Sequence, residues 1–319
     1  MEFKDKIVLV TGGAGAIGNN LCTALLAEDI TKLIIIDDLS SGQEAFIPKD
    51  ERIEFEKASV IYNEVLSRIF SKNKIDIVYH LAANFANQNS VDHPEKDLEV
   101  NGMGTLRVLK HCADYGVKRF VYTSSSCVYG DMNGQVSEKN VVYHLDTPYA
   151  ITKLLGERYA TYFREHYGVE TVTLRLFNSF GPGELPGKYR NVIPNFVAKA
   201  INKEPLPIMG SGEETRDFNY VDNVIQALLL SVKVDKAVGG TFNIGSGKET
   251  AVRKIAEIIN KITGNNARFA NIPKRSWDSV NRRSADISHA QEILGYSPVN
   301  DLESQIRHTY EWILNETAE

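Results

Sequence analysis

Tyr149 and Lys153 are the side chains of this sequence best suited to chemistry. Residues four apart share one face of a helix, so the lysine ammonium can lie beside the phenol. A free phenol has a pKa of about 10, and a nearby positive charge stabilises its phenolate form. The pair could therefore remove the proton of an alcohol while a hydride leaves the same carbon. The alternative is a chance match on an amphipathic helix that buries a tyrosine.

A serine-rich segment at residues 124–130, Ser-Ser-Ser-Cys-Val-Tyr-Gly, adds a third candidate. Its second serine, Ser125, follows a predicted strand and could hydrogen-bond the reacting oxygen and relay its proton. The segment precedes the helix that carries Tyr149. This arrangement makes a functional tyrosine and lysine pair a better interpretation than a chance match.

A glycine-rich turn at residues 11–18, Thr-Gly-Gly-Ala-Gly-Ala-Ile-Gly, lies between a predicted strand and an apolar helix pattern. Glycine permits the tight turn, the close approach of backbone amides to an anion, and close helix packing. The motif therefore predicts a dinucleotide pyrophosphate site. The predicted contacts are Gly12, Gly15, Ala16, Ile17 and Gly18.

Two acidic residues, Asp37 and Asp38, end the second predicted strand, about 20 residues after the last glycine. A carboxylate there would accept hydrogen bonds from the adenosine ribose, with Ser40 in the loop that follows. Two acids without a following arginine would repel a 2'-phosphate, so the predicted cofactor is NAD rather than NADP. A solvated turn is the alternative.

The elements that must position these residues form an α/β pattern. Short β-branched runs alternate with helix-length segments, which indicates a doubly wound parallel sheet of the Rossmann type. Ligands bind such sheets at the carboxyl ends of the strands. The predicted strands are residues 7–11, 33–37, 75–81, 120–124 and 171–177.

A smaller C-terminal substrate lobe, interleaved with the sheet, is predicted where glycine and proline become frequent after Gly181. A strand at 240–244 and a helix at 252–262 follow. The predicted NAD-binding domain is residues 1–177, to which 219–245 return, and the predicted substrate lobe is 178–218 with 246–319.

Composition limits the partners and the location. The formal net charge of -5 and a pI near 5.9 argue against nucleic acid or an anionic membrane as partner. Cys22, Cys112 and Cys127 have no paired or metal-type spacing, so neither disulfides nor a metal site is predicted. The first apolar run is too short for a signal peptide, and the predicted location is cytoplasmic.

Further motifs accompany this set over nearly the whole sequence. They are His80-Leu-Ala-Ala83, Leu174-Arg-Leu-Phe-Asn178, Phe180-Gly-Pro-Gly183, Arg216-Asp-Phe218, Tyr220-Val-Asp222, Phe242-Asn-Ile-Gly245 and Arg283-Ser-Ala-Asp286. With them the chain resembles the extended short-chain dehydrogenases/reductases, in particular the nucleotide-sugar epimerases and dehydratases of the UDP-glucose 4-epimerase type. The resemblance implies bound NAD and a nucleotide-diphosphate sugar as substrate.

The resemblance also implies roles for particular residues. It makes Ser125, Tyr149 and Lys153 catalytic. It places Leu81, Ala82 and Ala83 against NAD. Asn84 and Ser126 are predicted substrate contacts. By resemblance, the residues that line the nucleotide-diphosphate pocket are Asn178, Val192, Arg216 and either Arg282 or Arg283. Arginine suits a diphosphate because its planar fork matches phosphate oxygens, although Arg216 could instead pair with its acidic neighbours Glu213, Glu214 and Asp217.

The two residues after Ser125 narrow the reaction. In the 4,6-dehydratases of this family they are typically Asp-Glu, whereas here they are Ser126 and Cys127. Neither side chain replaces a carboxylic acid as a proton donor, which disfavours dehydration. The resemblance then implies a 4-epimerase, whose transient 4-keto sugar turns over and takes back hydride on its other face. A dehydratase or net oxidoreductase, and a noncatalytic nucleotide sensor, are alternatives from other classes.

Cys127 supports a second epimerase hypothesis. The segment around it is similar to the Ser-x-Cys-Ile-Tyr of plant-type GDP-mannose 3,5-epimerases, in which the cysteine and a distant lysine exchange protons beside the transient ketone. A thiol near a cationic group can do this work. Lys188 lies near the expected lysine, but alignment of the motifs places Asn191 there. The other interpretation of Cys127 is a small packing residue.

Two predicted helices, residues 95–115 and 148–166, correspond to the pair with which family members build an intermolecular four-helix bundle. Both carry apolar residues at helical spacing, so a homodimer is the predicted assembly. The residues of this pattern are Leu106, Leu109 and Ala113 in the first helix and Leu155, Tyr159 and Tyr162 in the second.

Overall fold

A parallel seven-stranded sheet lies at the centre of the computed structural model, which describes residues 1–317. The strands are β1 (Ile7–Thr11), β2 (Lys32–Asp37), β3 (Ile53–Lys57), β4 (Ile77–His80), β5 (Arg119–Ser125), β6 (Glu170–Leu176) and β7 (Thr241–Ile244). Their spatial order is β7-β6-β5-β4-β1-β2-β3, and every neighbouring pair is parallel. The predicted doubly wound α/β fold is confirmed.

Helices connect these strands and cover both faces of the sheet. They are α1 (Ala16–Leu26), α2 (Asn63–Lys72), α3 (Asn87–Asp92), α4 (Pro94–Asp97), α5 (Thr105–Asp114), α6 (Pro148–Tyr167), α7 (Val192–Ile201), α8 (Val221–Lys233), α9 (Val252–Thr263), α10 (Ser288–Leu294) and α11 (Leu302–Thr317). Short 3₁₀ turns occur at Glu44–Phe46, Ser126–Tyr129 and Asp235–Ala237. None of the helices within residues 1–317 combines the length and apolar character needed to cross a membrane.

Four short strand pairs lie outside the central sheet, mostly in the C-terminal part of the chain. Three pairs are parallel and one is antiparallel. The parallel pairs are Gly134–Val136 with Arg283–Ala285, Ser179–Phe180 with Asn219–Tyr220, and Pro207–Met209 with Ala270–Ile272; the antiparallel pair is Thr215–Arg216 with Thr250–Ala251.

Successive residues of the sheet strands enter two different hydrophobic cores. Val8 and Val10 belong to a cluster that contains residues of α1 and α8, whereas Leu9 belongs to one that contains residues of α2 and α5. Side chains alternate between the faces of a strand, so burial of both faces requires apolar residues at every position. This explains the near-continuous β-branched runs in the sequence.

The predicted strand positions agree with the structure to within two residues at each end. Strand β3 forms one edge of the sheet and was not among the predicted strands, because its sequence, Ile-Glu-Phe-Glu-Lys, alternates apolar and charged residues. Alternation of this kind suits a partly exposed edge strand. The strand predicted at 240–244 is β7, and it pairs with β6 at the opposite edge.

The helix predicted over residues 95–115 is present as a continuous helical segment from Pro94 to Asp114, but its winding is not uniform. Leu98–Gly104 is wound as a π-helix between α4 and α5. Close packing accompanies the change, because a Cβ atom added to Gly104 would lie 2.8 Å from Cγ2 of Val60. π-helical turns are rare, and many of them occur at functional sites.

Candidate active site

The sheet order reverses between β1 and β4, and a cleft of about 630 Å³ lies at the carboxyl ends of these strands. With one exception, every predicted site residue lines this cleft. The lining residues are Gly12, Gly15, Ala16, Ile17, Gly18, Asp37, Asp38, Ser40, Leu81, Ala82, Ala83, Asn84, Ser125, Ser126, Cys127, Tyr149, Lys153, Asn178, Val192, Arg216 and Arg283. The exception is Arg282, which is exposed and pairs with Glu249 at 2.9 Å.

The glycine turn packs so tightly that side chains would not fit. Gly12 has a φ of 74°, and an added Cβ atom would lie 2.7 Å from the backbone nitrogen of Ala82. A Cβ atom on Gly18 would lie 2.1 Å from the backbone oxygen of Gly12. The turn therefore holds the N-terminus of α1 at the floor of the cleft, where a dinucleotide pyrophosphate would fit.

The Asp37 carboxylate is fixed at the end of β2. Its Oδ2 atom accepts a hydrogen bond from Ala14 N at 3.0 Å, and its Oδ1 atom accepts one from Leu39 N at 2.8 Å. Burial raises the pKa of Asp37 above its usual value, and these two hydrogen bonds oppose that rise. A carboxylate retains further lone pairs, which could accept ribose hydroxyls. The glycine turn and Asp37 together fit NAD.

Helix α6 brings the tyrosine and the lysine together. Its N-cap is Thr147, whose hydroxyl accepts a hydrogen bond from Ala150 N at 3.3 Å, and Pro148 occupies the first helical turn. The Lys153 Nζ atom lies 5.7 Å from the centroid of the Tyr149 ring and donates to the backbone oxygen of Thr123 at 2.9 Å. The predicted geometry of the pair is thus present in the structure.

Burial sets the protonation of both groups in the ligand-free protein. It raises the pKa of Tyr149 well above its usual value, and a hydrogen bond to Ser125 opposes that rise. Burial lowers the pKa of Lys153 to about 8, while the negative charge of Asp97 opposes that fall. In the ligand-free protein the phenol is therefore protonated, and Tyr149 could act as a base only where positive charge, such as that of the Lys153 ammonium and of the nicotinamide ring of NAD, lowers its pKa.

A buried polar network that the sequence analysis missed ties α6 to the loop after β4. The Thr152 hydroxyl donates to Asp97 at 2.6 Å, and Asn101 Nδ2 donates to the same carboxylate at 2.8 Å. The Asn101 Oδ1 atom accepts the backbone N–H of Asn84 at 2.7 Å. The π-helical turn carries Asn101, and the glycines at 102 and 104 inside a predicted helix were the available signal.

A second missed network supports the strand that carries Ser125. Glu157 accepts hydrogen bonds from Ser124 at 2.5 Å and from Arg175 at 2.9 and 2.8 Å. Arg175 also donates to the Tyr129 hydroxyl at 2.9 Å. Both charged side chains are buried, so the pair is well hydrogen-bonded within the protein.

Replacing Arg175 by methionine is expected to lower the free energy of unfolding by about 3–5 kcal/mol, because Glu157 would remain as an unpaired buried charge. Urea unfolding followed by circular dichroism measures the change. The control is Lys110→Met, which removes an exposed pair with Asp114 and should cost no more than about 1 kcal/mol. Equal losses in the two variants would contradict the expectation.

Cys127 is held by an asparagine. Its Sγ atom accepts a hydrogen bond from Asn87 Nδ2 at 3.3 Å, and Asn87 Oδ1 accepts the Thr147 hydroxyl at 2.8 Å. Lys188 is exposed and lies 3.6 Å from Asp92, and Asn191 Nδ2 donates to Glu184 at 3.2 Å. None of these contacts joins Lys188 or Asn191 to Cys127.

Arg216 does not pair with the acidic residues that are its neighbours in the sequence. Arg216 pairs with Asp278 at 3.0 Å. Glu213 pairs with Arg253, and Asp217 accepts the backbone N–H groups of Ser246, Gly247 and Ala285. The partner is 62 residues away in the sequence, so local spacing could not indicate it.

Within residues 1–317 the structure contains neither a disulfide bond nor a cluster of potential metal ligands. Cys22, Cys112 and Cys127 are free thiols. No group of three histidine, cysteine or acidic side chains within residues 1–317 could hold a metal ion.

Known proteins resemble the chain in sequence and in fold. The model of the NAD dependent epimerase/dehydratase family matches residues 8–245. A putative UDP-glucose 4-epimerase of Methanocaldococcus jannaschii is 33% identical over 310 residues, which are 97% of this chain and 99% of that protein.

Two solved structures extend the similarity. The epimerase Mth375 of Methanothermobacter thermautotrophicus is 46% identical with a TM-score of 0.95, over 99% of this chain and 94% of its own. The Thermotoga maritima UDP-glucose 4-epimerase, solved with UDP-glucose, is 32% identical with a TM-score of 0.92, over 98% and 100% of the chains. The cofactor of this protein is NAD, and the chain belongs to the NAD-dependent epimerase/dehydratase family.

Proposed function

We propose that the protein is a nucleotide-sugar 4-epimerase. The observation that carries the proposal is the meeting of Ser125, Tyr149 and Lys153 in one cleft with the glycine turn. Bound NAD supplies a reversible hydride acceptor. In the same proposal residues 1–177 and 219–245 hold the cofactor, and residues 178–218 and 246–319 hold the nucleotide sugar.

Tyr149 is the proton acceptor in this proposal. As the hydride leaves carbon 4, the phenolate takes the proton of the 4-hydroxyl, and the carbon becomes a ketone. Lys153 stabilises the phenolate because its ammonium lies beside the ring, and Ser125 hydrogen-bonds the reacting oxygen. Return of the hydride to the opposite face and of the proton from Tyr149 gives a stereoisomer of equal mass.

In this proposal the substrate is held by further residues that line the cleft. They include Asn178, Val192 and Arg216, whose guanidinium suits a diphosphate. On the sugar side we propose Asn84, which lines the cleft, as a contact for a sugar oxygen. The UDP-glucose in the Thermotoga maritima relative supports a uridine nucleotide.

A panel of UDP-, GDP-, CDP- and dTDP-sugars, incubated with the NAD-loaded protein, tests the proposal. Mass spectrometry and proton NMR of the products should show one nucleotide sugar converted to its C4 epimer without change of mass. A product lighter by one water would instead indicate a dehydratase, and net NADH formation an oxidoreductase. Binding without turnover of any sugar would indicate a nucleotide sensor.

The 3,5-epimerase alternative requires a second acid or base opposite Cys127. Asn191 donates its side-chain hydrogens to Glu184 and to Ser179, and an amide is not a useful base at neutral pH. Lys188 lies at the cleft but is engaged by Asp92 and Tyr189. We therefore favour inversion at C4.

Cys127→Ala is expected to retain full epimerase activity, because the 4-epimerase mechanism assigns no proton transfer to the thiol. Turnover in deuterated water tests the same assignment, because a 4-epimerase leaves C3 and C5 of the sugar unlabelled. Deuterium at either carbon, together with loss of labelling in Cys127→Ala, would contradict the proposal and favour the 3,5-epimerase.

We propose that α6 and the continuous helical segment formed by α4, the π-helical turn and α5 form a homodimer interface. Leu98, Met103, Ile151 and Tyr162 are large exposed apolar residues on these two elements. Leu109, in contrast, belongs to the buried core, so it cannot contribute to the interface. We also propose a cytoplasmic location for the protein.

Ile151→Asp is expected to halve the molecular mass in solution, because a carboxylate at the centre of an apolar interface would lose its hydration on association. Light scattering after size-exclusion chromatography measures the mass. The matched control is Val141→Asp, an exposed valine in the loop before α6, which should leave the dimer intact. A monomeric unmodified protein would contradict the interface.

A further inference from the structure

Arg283 is a buried cation whose hydrogen-bond acceptors are all backbone oxygens. Only 6% of the residue is exposed. Its Nη1 atom donates to the backbone oxygen of Ser126 at 3.1 Å, and its Nη2 atom donates to the backbone oxygens of Gly130 and Met132. The short strand Arg283–Ala285 holds the residue in this position by pairing with Gly134–Val136.

No carboxylate oxygen of residues 1–317 lies within 4.0 Å of this guanidinium. Arg216 and Lys274 of the same cleft pair with Asp278 and Glu214, whereas Lys153, like Arg283, is buried and donates to a backbone oxygen. The Arg283 Nε atom is also buried without an acceptor. A buried cation without an ion-pair partner is unfavourable. Burial lowers the pKa of Arg283, and the more distant carboxylates of Asp146 and Asp278 oppose that fall.

The position of Arg283 indicates which part of a ligand would neutralise it. The residue is bonded to the backbone of Ser126, which directly follows Ser125, so it stands beside the proposed reaction centre. Its side chain lines the same cleft as Cys127 and Tyr149. Arg216 also lies close enough to act electrostatically on Arg283, so a ligand group that reaches Arg283 would be the sugar ring or the adjoining diphosphate rather than the nucleoside.

We propose that Arg283 binds a carboxylate carried by the sugar of the substrate, so that the protein acts on a nucleotide-activated uronic acid. The inference rests on the proposed function and names its substrate class. A carboxylate supplies the ion-pair partner that Arg283 lacks, and charge-assisted hydrogen bonds from a guanidinium to a carboxylate are among the strong ones. The carbonyl contacts fix the guanidinium in place before the substrate binds.

Matched substrate pairs test the proposal. UDP-glucuronic acid is compared with UDP-glucose, and its 2-acetamido counterpart with UDP-N-acetylglucosamine. The wild-type protein should prefer the uronate in each pair by a factor on the order of 10² in kcat/KM, because a neutral sugar leaves the cation unpaired. A preference for the neutral sugars would overturn the proposal.

Arg283→Gln shows which ligand group the arginine holds. We expect the variant to lose the preference for uronates while its Kd for UDP alone stays unchanged. An equal loss of affinity for UDP and for every UDP-sugar would mean that Arg283 binds the diphosphate, and the proposal would fail. Arg283→Lys, which keeps the charge but not the planar fork, should retain part of the preference and covers the case in which Arg283→Gln does not fold.

Binding alone separates this proposal from the proposed epimerase activity. Calorimetric competition between UDP-glucuronic acid and UDP-glucose for the wild-type protein requires no turnover. Tighter binding of the uronate without epimerisation would support the role of Arg283 and contradict the 4-epimerase. Epimerisation with equal binding of both sugars would support the 4-epimerase and contradict the role of Arg283.

Discussion

Tyr149→Phe should lower kcat by a factor of about 10²–10⁴, the usual contribution of a positioned acid or base. Phenylalanine keeps the ring that packs edge-on against Phe85, with ring centroids 6.2 Å apart, but it has no oxygen to take the proton. The rate is measured by NMR on the nucleotide sugar identified in the panel.

The fold and the cofactor should be unaffected by this change. The NAD content and the unfolding temperature of Tyr149→Phe should match those of the unmodified protein. Tyr162→Phe is the matched control, because Tyr162 lies exposed on the same helix. A Tyr149→Phe variant with near-normal turnover would remove the basis of the proposed mechanism.

Lys153→Met is expected to produce the second large effect, a loss of about 10²-fold in kcat at neutral pH. Two unit charges separated by 5.7 Å, the distance from Lys153 Nζ to the centroid of the Tyr149 ring, interact by about 3 kcal/mol at an effective dielectric constant of about 20. That energy corresponds to about 2 pKa units of phenolate stabilisation.

The pH dependence distinguishes this electrostatic role from a packing role. Without the ammonium the pKa of Tyr149 should rise, so the pH at which activity appears should move upward in Lys153→Met. Addition of a small primary amine, which can restore a positive charge, should recover part of the rate. A parallel loss of activity at every pH, without recovery, would indicate that Lys153 serves only packing.

Lys153 also gives stability a defined dependence on pH. Its pKa is lowered from 10.5 to about 8 in the fold, so between these values the unfolded chain binds more protons than the native protein. The free energy of unfolding should therefore rise with pH across this window. Lys153→Met should lack this contribution, which urea titrations at pH 7.5 and about 10.5 can measure.

The local arrangement of the site could be predicted because it depends on geometry within single elements. Helical spacing places Lys153 beside Tyr149, and a strand followed by glycines and a helix places Gly12 and Gly18 at a pyrophosphate site. Both positions require glycine, because an added Cβ atom at either one would clash with backbone atoms. Such constraints are carried by a few neighbouring residues.

Partners that are distant in the chain could not be predicted in the same way. The sequence left Arg282 and Arg283 open, and only the pairing of Arg283–Ala285 with Gly134–Val136 turned one of them toward the cleft. The buried carboxylate of Asp97 likewise meets Thr152 across 55 residues.

Residue types and short spacings thus determined the fold class, the cofactor and the tyrosine and lysine pair. The tertiary structure alone decided which charges are paired, which remain buried without a counter-ion, and where a helix departs from regular winding. The physical reason is that helix and strand periodicity acts over a few residues, whereas the neighbours of a buried charge are set by strand order and by loops that meet only in the folded chain.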